Sequence, residues 1–538
     1  MNERRHAEAP LLDLQGGSTF RTDRMKTKPK FYFRLSPWSS WKRRYVMFPS
    51  FVLVGLMAIL WWIESDLTKP SSIRLQPSHQ PKAKKQAPKK SMAPKENLVS
   101  KSEADDPSQN SRYLSYLPHS GFHNQRISLE NALTLSKVLN RTLIIPPCLL
   151  GTAVPWIEFD KLLGRLQTIS SIGFEECGEG SGERVSSREC LSQPQGTWVS
   201  WKEIINIDEI SQSVKILERE SFEEDWLFRK IGIKKSADEI QQIKEETIYQ
   251  FKFLLRPPRK KSGKKVIEKK VELGKFDSVI DVYERFGNSD VKLIEIGSVF
   301  GTSRLTISND PIARQARTDF RRAMVFNNPV LVRLSKQIAS QLSQPPNGYS
   351  AVHIRVGDNL FRSRASATVS VIISKMVTDH LKLPLSSLQE ALVESDVEGD
   401  RSRSEIGVSG RPHELTCRRR KYTKPHLLKF NQPLFLATDS PLPEVEPALK
   451  TFFKAFPCTY LLNDFDLSSI KDIRISPQDR QPRTSTDPAL GKLMVPFLDA
   501  LVAARAASFV GTPGSTFSDF VNNSLFRTYH NLSIIEFG

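Results

Sequence analysis

The strand-like stretch "SAVHIRVGDNL" holds the first residues able to do chemistry. Alternation places Val352, Ile354 and Val356 on one face of a strand, with His353 and Arg355 on the other. A guanidinium merely buried there would be costly. Ligands of open α/β sheets sit beyond the carboxyl ends of strands. Arg355 is thus placed to grip an anion, and its planar fork suits phosphate. An internal ion pair to Asp358 is the structural alternative.

A second element is "SFVGTPGSTFSDFVNNSLF" at 508–526, an apolar strand running through Gly511 and Gly514 into a helix that opens near Thr516. Glycines allow close backbone approach, and the N–H groups of a helix start attract phosphate. Ser515 and Thr516 add hydroxyls, and Thr516 with Asp519 has the spacing of a capping box. Asp439 ends "PLFLATDS" in the same position as Arg355; it either accepts a hydrogen bond from a ribose or base, or caps the next turn. Asp464 and Asp466 in "NDFD" have the D-x-D spacing of metal-dependent sugar transferases, a spacing also common in plain loops. A third element, "YLPHSGFHNQRISLENALTLSKVLNRTLIIPP" from Tyr116, sets Asn124, Gln125 and Arg126 at the mouth of an amphipathic helix. Neither an H-E-x-x-H site nor a G-x-S-x-G elbow is present, which disfavours hydrolase readings.

These residues need a frame. Candidate strands at 142–146, 291–297, 350–356, 433–439 and 507–512 alternate with helix patterns at 127–139 and 490–506. That pattern predicts an α/β fold of two doubly wound halves facing a cleft. Residues 311–342 carry helical spacing in two pieces, a bridge between the halves. The basic stretch 256–272 and the polar region 395–424 read as inserts.

The rest of the 538 residues sets the context. Val46–Ile63 is eighteen residues without a charge, long enough to span roughly 27 Å as a helix. Residues 1–44 carry eleven Lys/Arg against four Asp/Glu. The positive flank stays cytoplasmic, which predicts a basic tail (1–44), a signal anchor (45–63) and a lumenal remainder in the Golgi or endoplasmic reticulum. Residues 64–110, rich in Pro, Lys, Ser and Gln, form a disordered stem. The net charge of +19 lies largely in the tail, stem and inserts, so nucleic acid is not expected as a partner. Five cysteines without C-x-x-C spacing disfavour zinc; Cys177 and Cys190 could close a short loop. Asn140, Asn522 and Asn531 stand in glycosylation sequons.

Taken in order, "SGFHNQRISLENALTLSKVLNRTLIIPP", "AVHIRVGDN" and "SFVGTPGSTFSDFV" resemble the blocks that mark the GDP-fucose protein O-fucosyltransferase superfamily, with its plant and fungal O-fucosyltransferase-like relatives. The resemblance covers about 113–538, and only these blocks and "FLATDS" are specific. It implies a fold of two Rossmann-like domains facing a cleft (GT-B type), at 111–340 and 341–538. It also implies a GDP-fucose donor, a protein or glycan acceptor, inversion at the sugar, and no required metal or other cofactor. Carried over by position, Asn124 stands near the sugar-phosphate and Arg355 stabilises the departing diphosphate. Gly121, Phe122, His123, Gln125 and His353 line the substrate, Ser515, Thr516 and Phe517 the nucleotide, and Asp439 contacts the nucleotide. Where some relatives place a glutamate in the first turn, this chain has His119 and Ser120. His119 or His123 serves as base, or none is needed if the transition state is strongly dissociative. A catalytically inactive glycan- or protein-binding module on the same fold is the rival reading, and a membrane-tethered structural protein a third. The intact Arg355 and Asn124 favour the enzyme.

Overall fold

In the computed structural model, four buried residues, Tyr113–Tyr116 (β1), lead through a short loop into an 18-residue helix, Phe122–Leu139 (α1), and back to Thr142–Ile145 (β2). β1 and β2 pair in parallel, with Tyr113 opposite Thr142. The helix stops at Asn140, which turns left-handed at φ 50° and returns its N–H to Ser136 and Lys137 carbonyls, a role asparagine takes at low cost. The structure describes residues 111–151, 153–172, 197–234, 238–257, 271–343, 348–357, 359–395, 407–408, 415–473 and 491–535. The expected tail, membrane anchor and stem, the pair Cys177 and Cys190, Asp358 and the insert at 258–270 lie outside them. Among the described residues, no helix is long and apolar enough to cross a membrane.

The first sheet is wholly parallel, ordered Ile216–Glu218, β2, β1, Leu293–Ile296, Ile240–Ile243. The chain runs outward from β1 through β2 to Ile216–Glu218, crosses to the opposite edge at Ile240–Ile243 and returns to Leu293–Ile296 beside β1. The two-piece helical pattern appears as Pro311–Ala323 (α2) and Pro329–Leu342. Each has proline in its first turn, and Asp310 and Asn328 cap them through side-chain oxygens. α2 packs along α1.

The second sheet takes Ser350–Ile354 (β3), Leu434–Thr438 (β4) and, after the helix Gly491–Ala504 (α3), Ser508–Gly511 (β5). The short helix Thr516–Phe520 (α4) follows. Its order is Thr459–Tyr460, β4, β3, β5, all parallel. All five residues of β3 are buried, because helices cover both faces. The strand ends at Ile354, so Arg355 and Val356 lie just beyond it rather than on opposite strand faces. One apolar core runs from α1 and α2 through Pro329–Leu342 to α3 and β5.

Two features differ from expectation. A three-stranded parallel sheet, Leu305–Ile307, Phe251–Leu255 and Ser278–Asp281, was not legible. Its central strand carries Lys252, whose ammonium is drawn to the Glu272 carbonyl, and this breaks the apolar pattern. The region 395–424 is not all insert: Leu415 and Cys417 are buried, and Cys417 is joined to Cys458 with Cα atoms 4.3 Å apart. The other cysteine described, Cys148, is a buried thiol.

Candidate active site

At the carboxyl end of the second sheet, two side chains hold the main chain of the H-x-R segment. The Arg355 N–H donates to Thr512 Oγ1 (3.0 Å), and that hydroxyl donates to the His353 carbonyl (2.9 Å). The Val356 and Gly357 amides donate to Asp439 Oδ1 at 2.7 and 3.1 Å. Three adjacent strands are thus tied at their tips. A Cβ at 357 would stand 2.8 Å from Asp439 Oδ2, so any larger residue there would have to displace that carboxylate. With its backbone fixed, Arg355 keeps a side chain 30% exposed, its guanidinium 4.4 Å over the Phe361 ring and its Nε 3.8 Å from Asp439 Oδ2. Of the two readings of Asp439 the capping one is seen, and its side chain stays 38% exposed. It caps the turn and accompanies Arg355, because the nearest donors are main-chain amides.

His353 is buried, with Nδ1 2.6 Å from Ser518 Oγ and its ring 4.3 Å from Phe517 at 30°. Burial, then the Arg355 charge, lowers its pKa to about 3, so the ring is neutral. β5 and α4 approach so closely that a Cβ on Gly511 would sit 2.5 Å from that of Ser518. The turn passes through Gly514 at φ 74°. The capping box expected at Thr516 and Asp519 does not form. Ser515 is the N-cap, its side chain makes no capping bond, and its buried Oγ has no partner. Thr516 and Phe517 are partly exposed in the first turn of α4.

The first sheet's tip is held differently. Gln125 is buried; its amide donates to the Ser120 and Leu149 carbonyls (3.0 and 2.9 Å) and accepts from the Leu149 N–H (2.9 Å). It clamps the loop, and this corrects its assignment to substrate. The clamp fixes Ser120 at φ 66°. His119 is also consumed, with its ring nitrogens 2.8 Å from Ser120 Oγ and 2.7 Å from Ser298 Oγ. Burial, then Arg304, lowers its pKa to about 3, so it is not poised as a base. Asn124 is partly exposed, and its side-chain amide makes no hydrogen bond with any described residue. Gly121 is exposed, with open space where a Cβ would go.

The three blocks meet through aromatic rings. His123 lies 5.4 Å from Phe517 and 5.5 Å from Phe520, and α1 touches α4. His123 is held neutral, chiefly by burial and then by Arg126, His353 and Arg355, and its Nδ1 is buried without a partner. Phe122 packs on Phe497 (4.5 Å), Trp201 and Phe326. With His123, Leu149, Gly151, Leu493 and Pro496 it lines a cavity of about 280 Å³.

Pattern reading missed Asp499 on α3. Its carboxyl has no partner among the described residues, and burial pushes its pKa up to about 8. The signal was there, a lone acid in the apolar run "LMVPFLDALVAA". The D-x-D pair does other work. Asp464 is buried against Arg418 (2.6 Å), and Asp466 caps Ser468. No cluster of three His, Cys, Asp or Glu occurs among the described residues.

"O-fucosyltransferase 30" of Arabidopsis thaliana is 58% identical over 38 residues, which is 7% of this chain and 8% of that protein. Over those 38 residues, and no further, the sequence is similar to that O-fucosyltransferase. No protein-family model matches the chain. Among solved structures, POFUT1 in complex with GDP aligns at 14% identity over 80% of this chain and 98% of that one, with a TM-score of 0.33. NodZ alpha-1,6-fucosyltransferase soaked with GDP-fucose aligns at 13% identity over 76% and 91%, with a TM-score of 0.28. Scores of that size carry no argument.

Chemically, the arrangement offers a guanidinium on a fixed backbone, an unengaged carboxamide and a glycine turn with hydroxyls. That set suits an anion with a polar organic group attached.

Proposed function

We propose that this chain is a glycosyltransferase that moves fucose from GDP-fucose to a hydroxyl of a protein or glycan, with inversion. The observation that carries the reading is the convergence of the three sequence blocks through the stack His123–Phe517–His353, beside Arg355 at the carboxyl end of β3. The two parallel sheets correspond in this reading to two Rossmann-like halves, with the donor in the crevice between their strand ends. Cleaving the sugar–phosphate bond leaves charge on the diphosphate, and preorganised donors aimed there stabilise the transition state. Arg355 takes that role, Asn124 reaches the sugar-phosphate, and the Ser515–Phe517 turn takes the nucleotide, without a required metal. With His119 consumed and His123 and His353 held neutral, the acceptor hydroxyl attacks a loosely bonded, strongly dissociative sugar and needs no strong base. The basic flank and apolar segment near the N-terminus support a single-pass, lumenally facing enzyme of the Golgi or endoplasmic reticulum.

The test incubates the full chain in detergent with GDP-fucose, other nucleotide sugars and GDP, following melting and hydrolysis. GDP and GDP-fucose should raise the melting temperature, with slow release of fucose. Protection without release or transfer to any acceptor supports the inactive binding module, and no protection by any nucleotide sugar overturns the reading.

A further inference from the structure

Beneath the first turn of α1, three buried arginines surround one carboxylate among the described residues. The Glu130 carboxylate faces three guanidiniums, Arg321 at 2.8 Å, Arg126 at 3.5 Å and Arg317 at 3.8 Å, every one of these side chains only 5% exposed. The other acid close by is Asp519 on α4, whose pKa is raised by burial against the pull of Arg126. Among the described residues, Arg126 therefore shares one full carboxylate and one weakened one with two other cations.

The three arginines are not equally satisfied. Arg321 also donates to the Ile535 carbonyl (3.0 Å), and Arg317 to the Leu305 carbonyl (2.9 Å) and Asn131 Oδ1 (3.3 Å). Arg126 has only the 3.5 Å contact to Glu130, a buried Nε without a partner, and the face of Phe520 at 4.1 Å. Burial above all brings its pKa down to about 10. Removing it would not strand Glu130, which keeps Arg321. A buried cation that its neighbours do not need is costly, so something else must repay it.

The position suggests what. Arg126 is one turn from His123 and stacks on Phe520, whose helix carries Phe517 against His353. At 4% exposure it cannot itself touch a ligand. We propose that Arg126 is a positioning charge, left unbalanced in the empty protein and balanced when a diphosphate occupies the candidate active site. The proposal rests on the donor reading above for the identity of that anion. In a poorly screened interior, such a charge attracts an anion without contact.

The experiment compares wild type, Arg126→Met and Arg126→Lys as full chains, measuring melting without ligand and the Kd of GDP, guanosine and inorganic pyrophosphate. Arg126→Met should melt at or above the wild-type temperature, yet bind GDP and pyrophosphate on the order of tenfold more weakly. Guanosine affinity should not change, and Arg126→Lys should recover most of the diphosphate affinity. Unchanged diphosphate affinity in Arg126→Met overturns the proposal, whatever its melting temperature. If Arg126→Met melts lower and binds weakly, Arg126→Lys decides. Recovery supports the charge, and equal loss shows that only packing was at stake. A wild type that binds pyrophosphate but not GDP rejects the nucleotide reading and leaves this inference standing. A wild type that binds neither rejects this one.

Discussion

The tips of the two sheets are built from similar residues and used in opposite ways. In the second sheet, Thr512 and Asp439 accept main-chain N–H groups, so the loop is fixed while the Arg355 side chain stays 30% exposed. In the first, the side chains that look most chemical, His119 and Gln125, are the ones that fix the loop. Only Asn124 is left unengaged there. In the proposed function the second sheet thus supplies the charge and the first a single neutral donor. A polar letter in a motif is as often the clamp as the tool, and its partners decide which.

If that division is right, the largest loss should follow removal of Arg355. Arg355→Ala should reduce turnover on the order of 10²–10³-fold, about 3–4 kcal/mol of transition-state stabilisation. Melting should hardly move, since the side chain is partly exposed and its backbone bonds remain. Arg355→Lys should rescue poorly, because an ammonium lacks the fork. Asn124→Ala should cost less. Equal losses from both would mean the sheets share the charge stabilisation, and a destabilised Arg355→Ala with full activity in its folded fraction would return Arg355 to a structural role.

The next effect lies in the clamps. Gln125→Leu leaves the Leu149 N–H and two carbonyls unpaired in the interior, which should cost about 1–3 kcal/mol for each group that finds no water. Asp439→Ala also frees two amides, but Gly357 is exposed and water can replace the carboxylate there. The contrast is read by denaturant midpoints alongside turnover. Gln125→Leu should lose stability first, and Asp439→Ala activity first, as Arg355 drifts. The reverse pattern would exchange the roles assigned to the two tips.

Much of this was legible in the sequence where one physical demand acts alone. The strands at 142–146 and 433–439 and the two-piece helix at 311–342 follow from periodicity and caps, because local pattern and burial agree there. The three blocks could be seen to belong to one site. What pattern could not give was the partner of each polar group. Gln125 and Leu149 are 24 residues apart, His119 and Ser298 179, and Asp439 and Val356 83. Hydrogen bonds at that separation leave no local mark. Lys252 hid a strand for a related reason: its ammonium is satisfied by a carbonyl twenty residues away.

A further expected effect, on stability alone, is a pH dependence that both tips share. His119 at the first and His353 at the second each have a folded pKa lowered to about 3, from burial first and a nearby arginine second, against about 6.5 when unfolded. The folded protein therefore binds fewer protons than the unfolded chain between pH 6.5 and 3, so stability falls as pH drops through that window. Each histidine contributes a slope of up to about 1.4 kcal/mol per pH unit once the unfolded ring is fully protonated. Urea melts at pH 7, 6, 5 and 4.5 should show the decline starting near pH 6.5, above the range of ordinary carboxylates. His353→Gln and His119→Gln should each flatten the curve by about one proton, and the double variant by about two, since the rings sit in different sheets and share no partner. A single variant that removes the whole slope would show that one tip alone senses acid. Wild-type stability that is flat from pH 7 to 4.5 would mean that neither ring is held neutral by its surroundings.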